Sequence, residues 1–299
     1  MSLNKIVISI GLIKDGSSYL CLRREKEPFK NYIEFPGGKL KKGESTSSCL
    51  LRELAEELDI KIKKFKYIGT IKHPYTESLI VINVFKIFKY SGSIQPIEGH
   101  KIAYYNSQSN DNLLPTHNRI LNLLKLPRFL KILTISEFES ANELNLSLYS
   151  SVRLRGISYS YYKKNIETKF ISQGYKGSII IDYPYNLDWS GHYDGVHFTS
   201  NNICESKFCT NNPNYTYSAS CHNLEDIEKS NYTLFDFILL SPVLQTHTKY
   251  PALNWQNFSK LSEISYVPTY ALGGVSSNSN DFKKSIQNNG FGIAGIRKI

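Results

Sequence analysis

The sequence predicts an α/β chain of two domains, the second an eight-stranded parallel (β/α)8 barrel. Three observations lead there. The chain has 299 residues, 41% of them hydrophobic, enough for two packed cores. Its first half mixes short alternating strands with two helices, and the "LPRF" break at Pro127 ends that pattern. After the break, apolar runs recur about eight times with polar, helix-like segments between some of them, and continuously apolar strands suit a parallel sheet covered on its faces. The boundary is placed at Pro127, giving domains 1–127 and 128–299.

In the first domain, alternation and β-branched content predict strands over 6–14, 19–23, 65–71, 79–89 and 101–105. "STSSCLLRELAEEL" predicts a helix capped by Ser45 or Thr46, with Leu50, Leu51, Leu54 and Leu58 on one stripe. A second helix follows Pro115 through "THNRILNLLKL". In the second domain the strand-like runs are "FLKILTIS", "SVRLRGIS", "GSIIID", "DGVHFTS", "TYSASCHN", "DFILLSPV", "PTYALGGV" and "GFGIAGI". "NLEDIEKSN" and "NWQNFSKLSEI" read as helices among them.

Composition narrows the function. No apolar run approaches the roughly 20 residues of a membrane helix, and the N-terminus reads as a strand and not a signal peptide. Five cysteines without a CxxC pattern suit a reduced, cytoplasmic protein and argue against zinc. The net charge is +10, and residues 1–128 hold 21 Lys and Arg against 12 Asp and Glu. That bias favours an anionic ligand.

The helix concentrates the opposite charge. Glu53, Glu56 and Glu57 stand at i, i+3 and i+4, so the helix presents them as one carboxylate cluster. Such a cluster is poor for stability and good for a hard divalent cation with oxygen preference. The longer pattern, Gly38, five residues, Glu44, seven residues, then "RELAEELDI", resembles the Nudix box. Asp59 stands where that pattern has Gly, at the helix end, where Asp tolerates a left-handed backbone. The resemblance implies a Nudix α/β/α sandwich with a mixed sheet. It implies Mg²⁺, with Mn²⁺ as a substitute, held by Glu53, Glu56, Glu57 and the Gly37 backbone, with Glu44 and Arg52 fixing the loop to the helix.

Within that family the chain is most similar to the MutT type, which hydrolyses oxidised guanine nucleotides. The resemblance extends to "IEFPGGKLKKGE", with Phe35 as a base-stacking candidate, and to Arg24 of "RR" as a nucleotide contact. It makes Glu98 of "IEGHK" an extra metal carboxylate or base, and Asn118 of "LLPTHNRIL" a purine reader, since an amide both donates and accepts. "YTESL" after Pro74 lacks the Arg expected near the nucleotide. The implied reaction is attack on phosphorus that releases pyrophosphate and a nucleoside monophosphate, with Glu53 or Glu98 taking the proton of water. The expected partner is a nucleoside triphosphate. Stable nucleic-acid binding and membrane association are not expected, and the sequence carries no signal for oligomeric state.

The second domain resembles the thiamin phosphate synthase/TenI family over most of 129–299. The resemblance implies phosphate binding at Gly273, Gly274, Ala294 and Gly295 and at Thr246, Thr248 and Lys249, and it matches His222 to a TenI histidine. The alternative role for the glycines is tight turning and close packing. The synthase signature is altered: its Gln-x-Arg-x-Lys strand reads Arg153-Leu154-Arg155-Gly156-Ile157, its Asn-Asp reads Asp182-Tyr183, and its second Asp is Asn202. Without those carboxylates, synthase activity is not expected.

Overall fold

A computed structural model of the chain describes residues 4–97, 101–106, 108–140, 145–183, 192–208, 212, 214–233, 235–246 and 250–296. The chain folds into two compact units, Met1–Lys125 and Leu126–Ile299.

The first unit is built on a seven-stranded mixed sheet. Its strands are β1 (Asn4–Asp15), β2 (Ser18–Arg23), β3 (Ile33–Glu34), β4 (Gly37–Lys39), β5 (Lys61–Pro74), β6 (Ser78–Ser91) and β7 (Lys101–Tyr105). β1 lies at the centre. It runs parallel to β6 from Asn4↔Ser78 to Ile13↔Ile87 and antiparallel to β4. β2 continues from β1 through a hairpin and carries β3 on one side and β7 on the other. The five predicted strands are all present. The two short ones, β3 and β4, have too few residues to show alternation.

Helix α1 (Thr46–Leu58) lies on this sheet. The Ser45 side chain accepts from the Ser48 amide at 3.1 Å, which caps the helix. Its C-terminus closes on Asp59 at φ 55°, a left-handed residue whose amide bonds the Ala55 carbonyl. Leu50, Leu54 and Leu58 pack with Ile13, Leu20, Leu22, Phe85 and Ile87. A Cβ at Gly11 would stand 2.8 Å from the Leu54 Cδ2 methyl, so the helix seats closely on β1 there. The predicted stripe is corrected at one place: Leu51 is exposed, and Cys49 takes the buried position. Helix α2 (Pro115–Lys125) buries Thr116, His117, Ile120 and Leu123.

The second unit is a closed barrel of eight parallel strands. They are β8 (Phe129–Leu133), β9 (Ser151–Leu154), β10 (Ser178–Asp182), β11 (Gly195–Phe198), β12 (Thr216–Cys221), β13 (Phe237–Leu240), β14 (Thr269–Leu272) and β15 (Gly292–Gly295). β15 closes on β8 with Ile293↔Phe129. Each strand falls within one of the eight predicted runs. The helices are α3 (Ile135–Ser140), α4 (Tyr159–Tyr161), α5 (Glu167–Ser172), α6 (Leu224–Asn231), α7 (Asn254–Ile264) and α8 (Ser279–Gln287), and a π turn over Tyr162–Ile166 joins α4 to α5. Val152, Leu154, Ile179, Ile181, Val196, Phe198, Ile238 and Leu240 pack outward with helix residues Ile166, Phe170, Ile227 and Phe258. The alternate positions, among them Arg153, Asp182, His197, Ser218 and Ser220, therefore point into the barrel. Among the described residues, no helix is long and apolar enough to cross a membrane, and Cys21, Cys49, Cys204 and Cys221 are free thiols.

Candidate active site

The carboxylates of α1 are organised chiefly around Arg52, with Lys41 Nζ also 3.6 Å from Glu56. Arg52 binds Glu44 through two nitrogens, both at 2.9 Å. Its other terminal nitrogen donates to Glu53 at 2.7 Å and to Glu56 at 2.9 Å. It also reaches the Lys39 carbonyl at 3.1 Å, which ties the β4 end to the helix. The like charges of the box are thus partly compensated without a metal. Arg52 and the Lys41 amide hold the Glu44 carboxyl down to about 2.

Glycine sets how closely the loop approaches these acids. The Gly37 amide donates to Glu57 at 2.8 Å. Gly37 has φ 141°, and a side chain there would strike the Ser9 carbonyl. At Gly38 a Cβ would stand 2.4 Å from the Glu53 carboxyl carbon, so Glu53 rests against bare backbone. The Gln95 and Ile97 amides donate to the Leu58 and Glu57 carbonyls at 3.1 and 3.0 Å, fastening the segment after β6 to the end of α1. Glu98 lies outside the described residues.

The expected nucleotide contacts are placed as follows. Arg24 forms a two-point pair with Glu34, at 2.9 and 2.7 Å, and its buried Nε has no hydrogen-bond partner. Asn118 is exposed in the first turn of α2. Phe35 is buried, 2% exposed. Its ring stacks on His117 at 5.3 Å and meets Tyr19 edge-on at 6.0 Å. The Phe35 amide donates to His117 Nδ1 at 3.0 Å. Burial, aided by the Arg24 charge, pulls His117 down to about 3, so it is neutral. The sequence reading passed over His117. Its i, i+3 spacing to buried Ile120 was the available signal.

In the barrel, Arg153 binds Asp182 through Nε and a terminal nitrogen, at 2.9 and 2.8 Å, and the Gly156 amide takes the second oxygen at 2.9 Å. His197 is fully buried, with its ring nitrogens 2.8 Å from Ser218 Oγ and Ser220 Oγ. His222 donates from Nδ1 to the Ser241 carbonyl at 2.7 Å, which leaves Nε2 as its acceptor. Tyr250 stacks on that ring at 3.8 Å. Gly273 and Gly274 have φ 90° and 73°, and side chains there would strike Pro242 and Leu244. Close packing against the 242–246 loop, which brings Thr246 beside Gly273, thus requires both glycines. Ala294 and Gly295 are corrected in position: they are buried within β15 and not in a turn after it. Thr248 and Lys249 lie outside the described residues.

Comparison with known proteins matches both halves. A NUDIX domain family model covers residues 4–117, and a thiamine monophosphate synthase family model covers residues 152–299. An 8-oxo-dGTP diphosphatase of Buchnera aphidicola subsp. Schizaphis graminum is 37% identical over 100 residues, 33% of this chain and 75% of that protein. Another, from Buchnera aphidicola subsp. Acyrthosiphon pisum, is 41% identical over 99 residues, 32% of this chain and 79% of that protein. A putative thiamine-phosphate synthase 2 of Aquifex aeolicus is 30% identical over 137 residues, 45% of this chain and 73% of that protein. The mixed sheet with its Arg52-centred glutamates and the closed parallel barrel agree with these matches, and the chain belongs to the Nudix hydrolases, enzymes of phosphorus-containing anhydrides, through its first unit and to the thiamine monophosphate synthase family through its second.

Proposed function

We propose that the first unit is a Mg²⁺-dependent nucleoside triphosphate pyrophosphohydrolase whose preferred substrate is 8-oxo-dGTP. The observation that carries the reading is the convergence of Glu53 and Glu56 on a single guanidinium nitrogen of Arg52. Two carboxylates that already share one cationic group suit a divalent ion at the same place. Among the described residues no three His, Cys, Asp or Glu side chains form a ready-made ligand set. What exists is the Glu53–Glu56 pair, with Glu57 one turn on and held to the Gly37 amide. The donor chemistry, all oxygen, fits Mg²⁺, with Mn²⁺ as a substitute. Such an ion supplies charge screening for the phosphates and acidifies water.

In this reading the chain's own groups have separate tasks. Glu53, pinned between Gly38 and Arg52, takes the proton of the attacking water, with Glu98 as the other candidate. Glu44 keeps Arg52 engaged when Glu53 and Glu56 are needed elsewhere. Arg24 and Asn118 contact the nucleotide, and the relatives named 8-oxo-dGTP diphosphatase support the choice of base. The test is pyrophosphate release by the full chain with Mg²⁺ and a panel of nucleoside triphosphates that includes 8-oxo-dGTP and dGTP. We expect 8-oxo-dGTP to turn over fastest and Glu53→Gln to abolish turnover without loss of far-UV dichroism. If no triphosphate is hydrolysed faster than in buffer, the proposal fails.

The barrel, in the same proposal, does not form thiamin phosphate. Asp182 spends both oxygens on Arg153 and Gly156, so it has no charge to offer a metal pyrophosphate. Tyr183 stacks on Phe198 at 4.6 Å, and Ile157 is buried. The full chain, silenced by Glu53→Gln, should yield no thiamin phosphate from the pyrimidine pyrophosphate and thiazole phosphate. Product above the uncatalysed rate would show that the altered signature still works.

A further inference from the structure

The β5–β6 hairpin contains an arrangement that folding alone does not favour. Its antiparallel register sets Lys66 directly opposite Lys86 and Lys64 directly opposite Lys89. Like charges in such positions destabilise a sheet. The register passes from Phe65↔Ile87 to Lys64↔Lys89, so Phe88 is the extra residue of a bulge. Phe65, Phe85 and Ile87 pack toward α1. Alternation, kept in step by the bulge, turns the four lysines to the opposite face. Phe88 belongs with them: it is 52% exposed, and Lys86 Nζ lies 5.6 Å from the centre of its ring.

Among the described residues, none of these four lysines has a carboxylate partner. The face therefore offers four ammonium groups without a carboxylate partner and, beside Lys86, one open aromatic ring. An apolar partner would have to desolvate the lysines without pairing them. An acidic protein surface would pair the lysines and leave the ring unused. A single-stranded nucleic acid supplies both complements, phosphates for the ammonium groups and a flat base for the ring.

We propose that this face of the β5–β6 hairpin binds single-stranded nucleic acid, with phosphates on Lys64, Lys66, Lys86 and Lys89 and a base stacked on Phe88. Overall charge does not reveal which lysines meet, which is why the sequence leads to the opposite expectation. The inference is independent of the hydrolase reading, since it uses none of the residues of that site.

The test is fluorescence anisotropy of a labelled oligo-dT of about 20 nucleotides with the full chain, without divalent cation, from about 50 to 200 mM salt. We expect binding at low salt that weakens steeply as salt rises. Lys66→Glu places a carboxylate opposite Lys86, so it should raise thermal stability while weakening binding by about tenfold or more and flattening the logarithmic salt slope by about 0.7. Phe88→Ala should weaken binding by about fivefold or more. Gain of stability with loss of binding separates the face from any folding defect. The proposal is overturned by no binding at low salt, by binding indifferent to both substitutions, or by lysine-dependent capture on phosphatidylserine vesicles without oligonucleotide binding.

Discussion

Acidification should loosen the first unit through a single buried ring. His117 Nδ1 accepts the Phe35 amide at 3.0 Å, a bond that a protonated Nδ1 cannot make. Burial and the Arg24 charge hold its folded pKa at about 3, against about 6.5 in an unfolded chain. Between these values the unfolded state binds the extra proton and the folded state does not. Stability contributed by the neutral ring is therefore complete above about pH 6.5 and falls as pH falls. Each unit costs about 1.4 kcal/mol, so the loss at pH 5 is about 2 kcal/mol. That figure depends little on the folded value, because pH 5 is still well above it.

Hydrogen exchange at the Phe35 amide in the full chain reads this opening energy, once intrinsic exchange is corrected for pH. The protection of wild type should drop about thirtyfold between pH 7.5 and 5, which corresponds to that 2 kcal/mol. In His117→Gln, an amide oxygen can accept the same bond without titrating, so the ratio between the two pH values should stay near one. His197 and His73 also lie low through burial, but they are unchanged by the substitution and cancel from the comparison. Equal pH dependence in wild type and His117→Gln would refute the reasoning.

Two further substitutions address the site. Gly38→Ala places a methyl carbon where the Glu53 carboxyl now lies, 2.4 Å away; turnover should fall roughly a hundredfold, since a displacement of about 1 Å can cost that much, while circular dichroism stays native. Steady-state kinetics that match wild type would mean Glu53 has no fixed task. Asn118→Ala should lower the preference for 8-oxo-dGTP over dGTP by at least about tenfold while leaving dGTP turnover nearly unchanged, and an unaltered ratio of kcat/KM values would remove Asn118 from base recognition.

How much of this was legible follows from how local each signal is. The α1 box was readable because its carboxylates, its cap and its left-handed Asp59 stop all lie within one helix and its flanking loop. The barrel strands were readable because each is a short buried run whose outward positions are apolar, even where the inward ones, such as Arg153, His197 and Ser218, are polar. The Phe35–His117 stack was not, since the two residues are 82 positions apart and meet only through tertiary folding. Phe35 has the same side chain whether it stacks on a base or fills a core, and its 2% exposure is a tertiary fact that the sequence does not carry. The lysine pairs of β5 and β6 depend on a bulged register, which strand propensity does not encode.

The two units use charge in opposite ways. In the first, Arg52 serves three carboxylates, so the cluster keeps a negative surplus that a cation can satisfy. In the second, Arg153 and Asp182 stand one to one inside the barrel, and the carboxylate is saturated by the guanidinium and the Gly156 amide. A closed pair of this kind satisfies the buried charges of the interior. The barrel does not need a metal-bound ligand to fold, because its core rests on the outward apolar positions that pack against the helices. The barrel architecture therefore does not depend on that chemistry, whereas in the first unit three carboxylates share the Arg52 guanidinium.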